Sequence, residues 1–276
     1  MTKRSADGNA FGFVANCSLL FTELPLLDRP SAARAAGFDA IELWWPFATA
    51  SPPGESVDRL VDAIIVADIP LIGLNFFAGD MPRGDRGLVS WTGREHEFRD
   101  NIEVVVDIAL RLGTRLFNAL YGNVLDGVHS DIQRGTALAN LDIAARAVVE
   151  FGGTVLLEPL SGSPKYPLRT ARDVTNIIGE YEKHSSLRNV KLLADIYHLT
   201  VNGDNYRDVL TEYSHRIGHI QFADAPGRHE PGTGQIDFSE MLSRVRESGY
   251  RSWIAAEYIP SDTTESSLAW LDRPDA

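Results

Sequence analysis

The chain lacks the features that mark secreted, membrane-spanning or nucleic-acid-binding proteins. Its 276 residues include one cysteine, Cys17, which excludes an intrachain disulfide framework and is typical of a reducing compartment. No stretch approaches the roughly 20 consecutive apolar residues that span a bilayer. Residues 1–10 contain basic residues with no apolar segment behind them, so we expect a flexible tail rather than a signal peptide. These absences predict a cytoplasmic protein without a membrane partner.

Basic charge is also in short supply. Lysine and arginine number 26 against 38 aspartates and glutamates, which gives a formal net charge of −12. Because nucleic-acid binding needs a basic face that neutralises phosphates, we expect no nucleic-acid partner. An anionic substrate would meet an unfavourable overall field, so its site must supply local positive charge. A metal ion and Arg228 are the candidates for that charge.

Apolar runs alternate with amphipathic segments along the whole chain. Eight mostly continuous apolar runs are typical of parallel strands covered on both faces. The predicted strands are residues 13–17, 40–44, 71–76, 116–120, 154–158, 191–195, 219–222 and 253–257. The predicted helices are residues 26–36, 57–67, 94–112, 130–151, 170–181, 206–213, 238–248 and 262–271. This alternation favours a single (β/α)8 TIM barrel over residues 1–276, and no GxGxxG motif supports the alternative, an open doubly wound sheet.

An oxygen-bearing side chain ends each of the last four predicted strands. These residues are Glu158, Asp195, Gln221 and Glu257. A parallel barrel gathers the C-terminal ends of its strands into one ring, where active sites are built. Carboxylate and amide oxygens suit a hard divalent cation such as Mg²⁺ or Mn²⁺, whereas Zn²⁺ more often takes His or Cys. Each residue taken alone has a simpler interpretation as a helix cap or a loop anchor.

Two further residues of this half of the chain are candidates for substrate contact. His198 lies three residues after Asp195, where it would reach a substrate or a metal ligand, with a capping role as the alternative. Arg228 lies in a loop rich in glycine and proline, which brings backbone close to a small ligand. An arginine fork binds a carboxylate with two hydrogen bonds. His219 is expected one layer below Gln221, as a buried histidine with a hydrogen-bond partner.

The first half of the chain offers weaker candidates. Glu42 and Asn75 lie near the ends of the second and third predicted strands. Either would contact substrate or remain a polar residue of the barrel interior. Trp44, Trp45 and Phe76 would form walls of a pocket, although core packing is the commoner role of such residues.

These motifs resemble the hydroxypyruvate isomerase family of xylose-isomerase-like barrels. The resemblance rests on LEPL, DIYH, HIQFAD, PGRHEPGTGQI and AAEY, and it extends over nearly the whole chain. It implies a divalent-metal site whose ligands are Glu158, Asp195, Gln221 and Glu257. The two glutamates would also form the acid–base pair, and His198 and Arg228 would contact the substrate.

The resemblance and the residue chemistry lead to one expected reaction. Aldose–ketose isomerisation moves a proton between adjacent carbons through an enediolate, which a metal stabilises while carboxylates carry the proton. We expect interconversion of hydroxypyruvate, a small anionic hydroxy-keto acid, and its aldehyde isomer 2-hydroxy-3-oxopropanoate. The alternatives are a 2-oxo-tetronate isomerase, a sugar 3-epimerase on the same metal site and a barrel that only senses sugar acids. The barrel surface would also permit a homo-oligomer.

Overall fold

The computed structural model describes residues 11–271, in which eight parallel strands close into one barrel. The predicted tail, residues 1–10, lies outside the described residues, as do residues 272–276. Each strand pairs with the next in chain order, and the first closes the barrel against the last, with Val14 opposite Ala255. The strands are β1 (Phe13–Asn16), β2 (Ala40–Leu43), β3 (Leu71–Asn75), β4 (Leu116–Asn118), β5 (Thr154–Leu157), β6 (Val190–Asp195), β7 (Ile217–Phe222) and β8 (Ile254–Ala256). The predicted fold class, a (β/α)8 TIM barrel, is confirmed.

Helices connect the strands and cover the outside of the barrel. They are α1 (Arg29–Ala35), α2 (Gly54–Val66), α3 (Glu95–Leu112), α4 (Ser130–Val149), α5 (Ala171–His184), α6 (Ile196–Val201), α7 (Tyr206–Glu212) and α8 (Phe238–Glu247). Their ends follow signals in the sequence. Helix α3 stops at Gly113, which has a φ of 77°, and α5 begins with a capping box between Thr170 and Asp173. Within residues 11–271, no helix has the length and apolar character that a bilayer crossing requires.

Helix α6 was not predicted, and it shapes the site. It begins directly after β6, because the Asp195 side chain accepts hydrogen bonds from the backbone N–H groups of Tyr197 (2.8 Å) and His198 (3.3 Å). Asp195 therefore ends a strand and caps a helix at the same time. The tight turn carries His198 back over the strand end that supplies Asp195.

The last predicted helix is wrong over most of its length. Residues 262–271 contain only one 3-10 turn, Glu265–Leu268. The hydroxyl of Ser266 donates to the backbone carbonyl of Thr263, and the hydroxyl of Ser267 donates to that of Thr264. Such local side-chain bonds compete with helical hydrogen bonds, which explains why the apolar spacing did not produce an α-helix.

The barrel interior is layered by the two-residue period of its strands. Side chains two residues apart on a strand point to the same side, so an inward Val14 places Asn16 inward one layer higher. Ala40 and Glu42 are related in the same way, as are Ala255 and Glu257. On these three strands, small apolar side chains therefore fill the lower barrel, and polar side chains fill the layer at its C-terminal end.

Candidate metal and substrate site

The four predicted metal ligands lie at the C-terminal ends of β5 to β8. Glu158 and Glu257 directly follow their strands, Asp195 is the last residue of β6, and Gln221 is its register partner in β7. None of the four exposes more than 3% of its surface. The barrel therefore gathers the strand ends that the sequence singled out, and it buries them.

Glu158 has one carboxylate oxygen bonded and one without a partner. Asn118 donates from Nδ2 to Oε2 at 2.8 Å. Oε1 is buried and has no hydrogen-bond partner among residues 11–271. Burial, together with the negative charge of Asp195, raises the pKa of Glu158 to about 8. A carboxyl group that titrates near neutral pH can both accept and return a proton.

Asp195 and His198 face each other across the first turn of α6. Asp195 uses Oδ1 to cap the helix, and its Oδ2 has no hydrogen-bond partner in the described part of the chain. Nε2 of His198 lies 3.7 Å from Oδ2 and 3.8 Å from Glu158 Oε1. Nδ1 accepts the backbone N–H of Ser161 at 3.0 Å, so the proton of the neutral ring belongs on Nε2. Burial lowers the pKa of His198 to about 4 and keeps the ring neutral.

A buried network orients the Gln221 amide. Its Nε2 donates to Glu42 Oε1 at 2.7 Å, and a carboxylate can only accept, so the amide nitrogen must face Glu42. Gln221 Oε1 is the opposite end of the amide, and among residues 11–271 it has no partner. Glu42 also accepts from Asn16 at 2.9 Å, and its Oε2 lies 2.8 Å from His219 Nε2. Both oxygens of Glu42 are thus bonded to the protein beneath the site, and its position favours support of Gln221 over contact with substrate.

Arg228 holds Glu257 in place. Its Nη2 donates to Glu257 Oε1 at 2.6 Å and lies 3.8 Å from Asp195 Oδ2. The guanidinium carbon of Arg228 lies 5.4 Å from the centre of the Tyr197 ring and 6.0 Å from that of the Trp44 ring. Asn16 donates to the other oxygen of Glu257 at 3.0 Å. Burial raises the pKa of Glu257 well above its ordinary value, and the positive charge of Arg228 opposes that rise.

The donor set fits a hard divalent cation. Glu158 Oε1, Asp195 Oδ2 and Gln221 Oε1 are buried oxygens without partners among the described residues, and a cation would satisfy them. Ligand atoms of Glu158, Asp195 and His198 lie within 4.8 Å of one another, a spacing that could hold a metal ion. With its proton on Nε2, His198 would act there as a hydrogen-bond donor and leave the two carboxylates as the metal-binding members of the triad. Glu257 differs from the other predicted ligands, because Arg228 and Asn16 already donate to its two oxygens.

A cavity of about 520 Å³ opens onto these groups from the C-terminal face of the barrel. Its floor contains Glu158, His198, Arg228 and Glu257, and its walls include Trp44, Asn75, Met81, Pro82, Arg86, Leu120 and residues 160–163. Asn75, predicted to contact substrate, therefore reaches this cavity. A second cavity of about 830 Å³ adjoins it and shares Trp44 and Asn75, while Trp45 and Phe76 line only the second.

The sequence interpretation missed several residues of this site. Asn16 and Asn118 end β1 and β4 and donate to the two glutamates of the floor. They follow the same rule that identified Glu158, a polar residue that closes an apolar strand, and applying it to all eight strands would have found them. Ser161 and Arg86 lie in loops that follow strands. The only sequence signal that could have found them is that such loops lie on the C-terminal face of a barrel.

Fold and site together define the class: a parallel eight-stranded barrel with a buried acidic site at its C-terminal strand ends. The model of the xylose isomerase-like TIM barrel family matches residues 30–273. A Streptomyces coelicolor protein, provisionally named a hydroxypyruvate isomerase, is 45% identical over 94% of this chain and 95% of its own. The Escherichia coli hydroxypyruvate isomerase is 31% identical over 94% and 98% of the two chains. The chain belongs to the xylose isomerase-like TIM barrel family.

Other similar proteins carry different names. A Pectobacterium atrosepticum 2-oxo-tetronate isomerase is 29% identical over 94% of this chain and 96% of its own. A crystal structure from Brucella melitensis, described as a family 2 AP endonuclease, superposes with a TM-score of 0.86. It is 30% identical and covers 95% of this chain, while this chain covers 98% of it. The barrel is thus shared by proteins whose names cover more than one activity.

Proposed function

We propose that this protein is an isomerase that interconverts hydroxypyruvate and 2-hydroxy-3-oxopropanoate (tartronate semialdehyde). The observation that carries the proposal is one cavity lined by two buried glutamates, Glu158 and Glu257, and by His198. The pKa values of both glutamates are raised. Such a pair can move a proton between neighbouring carbons, because one group accepts a proton while the other returns one. The names of relatives at 45% and 31% identity support this substrate pair.

The four strand-end residues are the proposed holders of a divalent ion, with Mg²⁺ or Mn²⁺ favoured by the oxygen donors. Glu158, Asp195 and Gln221 offer oxygens that no protein donor satisfies within residues 11–271. Glu257 would join them by sharing the oxygen that Arg228 now holds. When bound, the ion would supply Lewis-acid stabilisation of the oxygen that becomes negative as the carbon loses its proton.

The protein side chains carry the protons. One glutamate of the pair removes a proton from carbon 3 of hydroxypyruvate, which leaves an enediolate. The other delivers a proton to carbon 2, while the hydroxyl proton moves from the oxygen of carbon 3 to that of carbon 2. His198 presents its Nε2–H towards the same space and donates a hydrogen bond to the substrate oxygen. Arg228 keeps Glu257 aligned, and Asn75 contacts the substrate from the wall.

A 2-oxo-tetronate isomerase is the second candidate. A relative of that name covers 94% of this chain, and a cavity of about 520 Å³ is large enough for three or four carbons. The reaction at carbons 2 and 3 would use the same residues, so the distinction lies in the substrate that the walls accept.

We further propose that residues 1–276 form one domain, that the protein acts in the cytoplasm, and that it can self-associate.

Proton NMR in D₂O tests the proposal. The protein is incubated with Mg²⁺ or Mn²⁺ and, in separate samples, with hydroxypyruvate, a 2-oxo-tetronate or a ketohexose. We expect deuterium at carbon 3 of hydroxypyruvate and formation of the aldehyde, with Glu158→Gln as the inactive control and Glu55→Gln, on the exposed face of α2, as the active one. Exchange only in the tetronate would favour the second candidate, and exchange only in the ketohexose would identify an epimerase.

A further inference from the structure

We infer that Arg86, in the loop between β3 and α3, binds the carboxylate of the substrate and so selects acids over neutral sugars. The inference rests on the proposed function only in taking the substrate to be a small hydroxy-keto acid. Arg86 lines the same cavity as Glu158, His198 and Glu257. It was not singled out from the sequence, and no part of the proton chemistry above uses it.

The charges in the cavity leave Arg86 as the available cation. Arg228 is already opposed by two carboxylates, Glu257 at 2.6 Å and Asp195 at 3.8 Å. No carboxylate oxygen within residues 11–271 lies within 4.0 Å of a guanidinium nitrogen of Arg86. The floor is acidic, so an anionic substrate needs a positive charge that the protein has not neutralised. Arg86 is the cavity arginine that meets this requirement.

The guanidinium of Arg86 is held by neutral oxygens and keeps donors to spare. Nη1 donates to the backbone carbonyls of Met81 at 2.9 Å and Asp85 at 2.7 Å, and Nε donates to the Ser163 hydroxyl at 3.2 Å. Nη2 makes no hydrogen bond to any residue that the structure describes between 11 and 271. Its two N–H groups therefore remain for a ligand, and a carboxylate is the natural partner of such a group.

The loop that carries Arg86 is fixed before any ligand arrives. The backbone N–H of Gly87 donates to the Ala78 carbonyl at 2.9 Å, and Gly87 has a φ of 110°. A Cβ at Gly87 would lie 1.9 Å from the Leu120 carbonyl oxygen, so only glycine fits there. Asp85 Oδ2 accepts from the backbone of Asp80 at 2.8 Å and from Arg94 at 3.0 Å. A pre-ordered arginine loses little side-chain entropy on binding, which favours affinity.

This placement gives the substrate a direction. Arg86 and Ser163 come from loops above the strand ends, whereas Glu158 and Glu257 lie at the strand ends themselves. A hydroxy-keto acid bound with its carboxylate at Arg86 would direct carbons 2 and 3 towards the glutamates. A neutral sugar would leave the charge of Arg86 without a partner, and such an unmet interaction is a strong basis for discrimination.

Kinetics of Arg86 variants with the metal-loaded protein test the inference. We expect Arg86→Met to raise the KM for hydroxypyruvate about 10- to 100-fold, the usual loss for a charge-assisted hydrogen bond, with kcat changed less than about fivefold. Arg86→Lys, which keeps the charge but loses the planar fork, should recover part of that loss. Arg83→Met is the matched control, because it removes the same charge from the same loop at a side chain that is 87% exposed.

A binding measurement separates this inference from the proposed reaction. D-glycerate, a carboxylated analogue whose carbonyl is already reduced, is titrated calorimetrically into the wild-type, Arg83→Met and Arg86→Met proteins. Loss of glycerate affinity only in Arg86→Met would support the inference even if the wild type turned over none of the proposed substrates. Equal glycerate affinity in all three proteins, or an unchanged KM for hydroxypyruvate in Arg86→Met, would overturn it, as would a wild type that neither binds glycerate nor turns over hydroxypyruvate.

Discussion

Two buried regions at the same strands of the barrel are built on opposite principles. The acidic floor consists of Glu158 and Glu257, which line the cavity, together with Asp195 and Gln221, which lie beside them at the strand ends. The aromatic cluster lies on the outer side of β1, β7 and β8 and consists of Phe13, Phe38, Phe222, Phe238, Tyr258 and Trp270, with ring centroids of Trp270 and its neighbours 5.2 to 6.4 Å apart. Both regions are shielded from water, and only Phe238 among their residues is partly exposed.

The two regions differ in whether their polar atoms are satisfied. In the aromatic cluster, the Trp270 Nε1–H donates to the Tyr258 hydroxyl at 3.1 Å, and that hydroxyl lies 2.9 Å from Ser267 Oγ. In the acidic floor, three oxygens lack a hydrogen-bond partner among residues 11–271. A satisfied cluster contributes stability, whereas unsatisfied buried carboxylates cost stability. The floor therefore makes sense as a binding and catalytic surface, and the cluster makes sense as a structural element.

The largest expected effect falls on activity, through Glu158. Glu158→Gln removes a proton carrier while keeping the shape of the side chain, so kcat should fall about 10²- to 10⁴-fold, the usual share of general acid–base catalysis. Stability of the metal-free protein should not fall at neutral pH, because glutamine is neutral beside Asp195, as is the protonated carboxyl that a pKa of about 8 favours. NMR turnover and urea unfolding measure the two quantities. A variant with near wild-type kcat would mean that the acidic floor does not carry the proton.

The aromatic cluster should show the reverse pattern. Trp270→Ala deletes a ring that packs against five other rings, so the free energy of unfolding should drop by about 3–5 kcal/mol. The kcat of the protein that stays folded should change little, because the cluster lies outside the cavity. Trp45→Ala, a partly exposed tryptophan at the second cavity, is the control and should cost much less stability. Equal losses in the two variants would remove the contrast.

The pH dependence of stability sharpens the comparison further. The pKa of Glu158 rises from an ordinary 4.5 to about 8 on folding, so the folded state binds more protons than the unfolded state between those values. The contribution of Glu158 protonation to the free energy of unfolding is therefore fully present below about pH 4.5 and is lost as pH rises through about 8. With EDTA present, the stability of the wild type relative to Glu158→Gln should decline over that window. Urea unfolding at several pH values measures it, and a constant difference would contradict the raised pKa.

The smallest expected effect concerns Cys17, which directly follows β1 and is buried in the hydrophobic core. Burial raises the pKa of its thiol to about 12, so the thiol stays protonated and shielded at pH 8. We expect no reaction with a thiol reagent such as DTNB in the native protein and full reaction after unfolding in guanidinium. Fast labelling of the native protein would show that the core around Cys17 opens to solvent.

The sequence predicted most of the fold, because strand and helix signals are local. All eight predicted strands match observed ones within two residues at either end, as residues 71–76 and β3 (Leu71–Asn75) illustrate. The two errors have local causes as well. Asp195 caps a helix immediately after its strand, and serine hydroxyls at residues 266 and 267 bond to the preceding backbone. Neither effect changes the apolar spacing from which helices are predicted.

The candidate site could be predicted only in part. Glu158, Asp195, Gln221 and Glu257 were accessible because a parallel barrel places every strand end on one face. The partners of these residues were not, since they come from distant parts of the chain: Asn16 bonds to Glu257 across 241 residues, and Glu42 bonds to Gln221 across 179. Pairing over such separations depends on barrel closure and register, which no local pattern encodes.

By itself, the sequence determined that this chain forms a parallel barrel with an acidic face, because the period of apolar residues and the residue that ends each strand are properties of short segments. Only the tertiary structure decided how the charges are shared. It pairs Arg228 with Glu257 and Asp195, holds Arg86 on backbone carbonyls, and leaves three buried oxygens without donors among residues 11–271. The physical reason is that hydrogen bonds and ion pairs act over a few ångströms, so they exist only after folding has brought the strand ends and loops together.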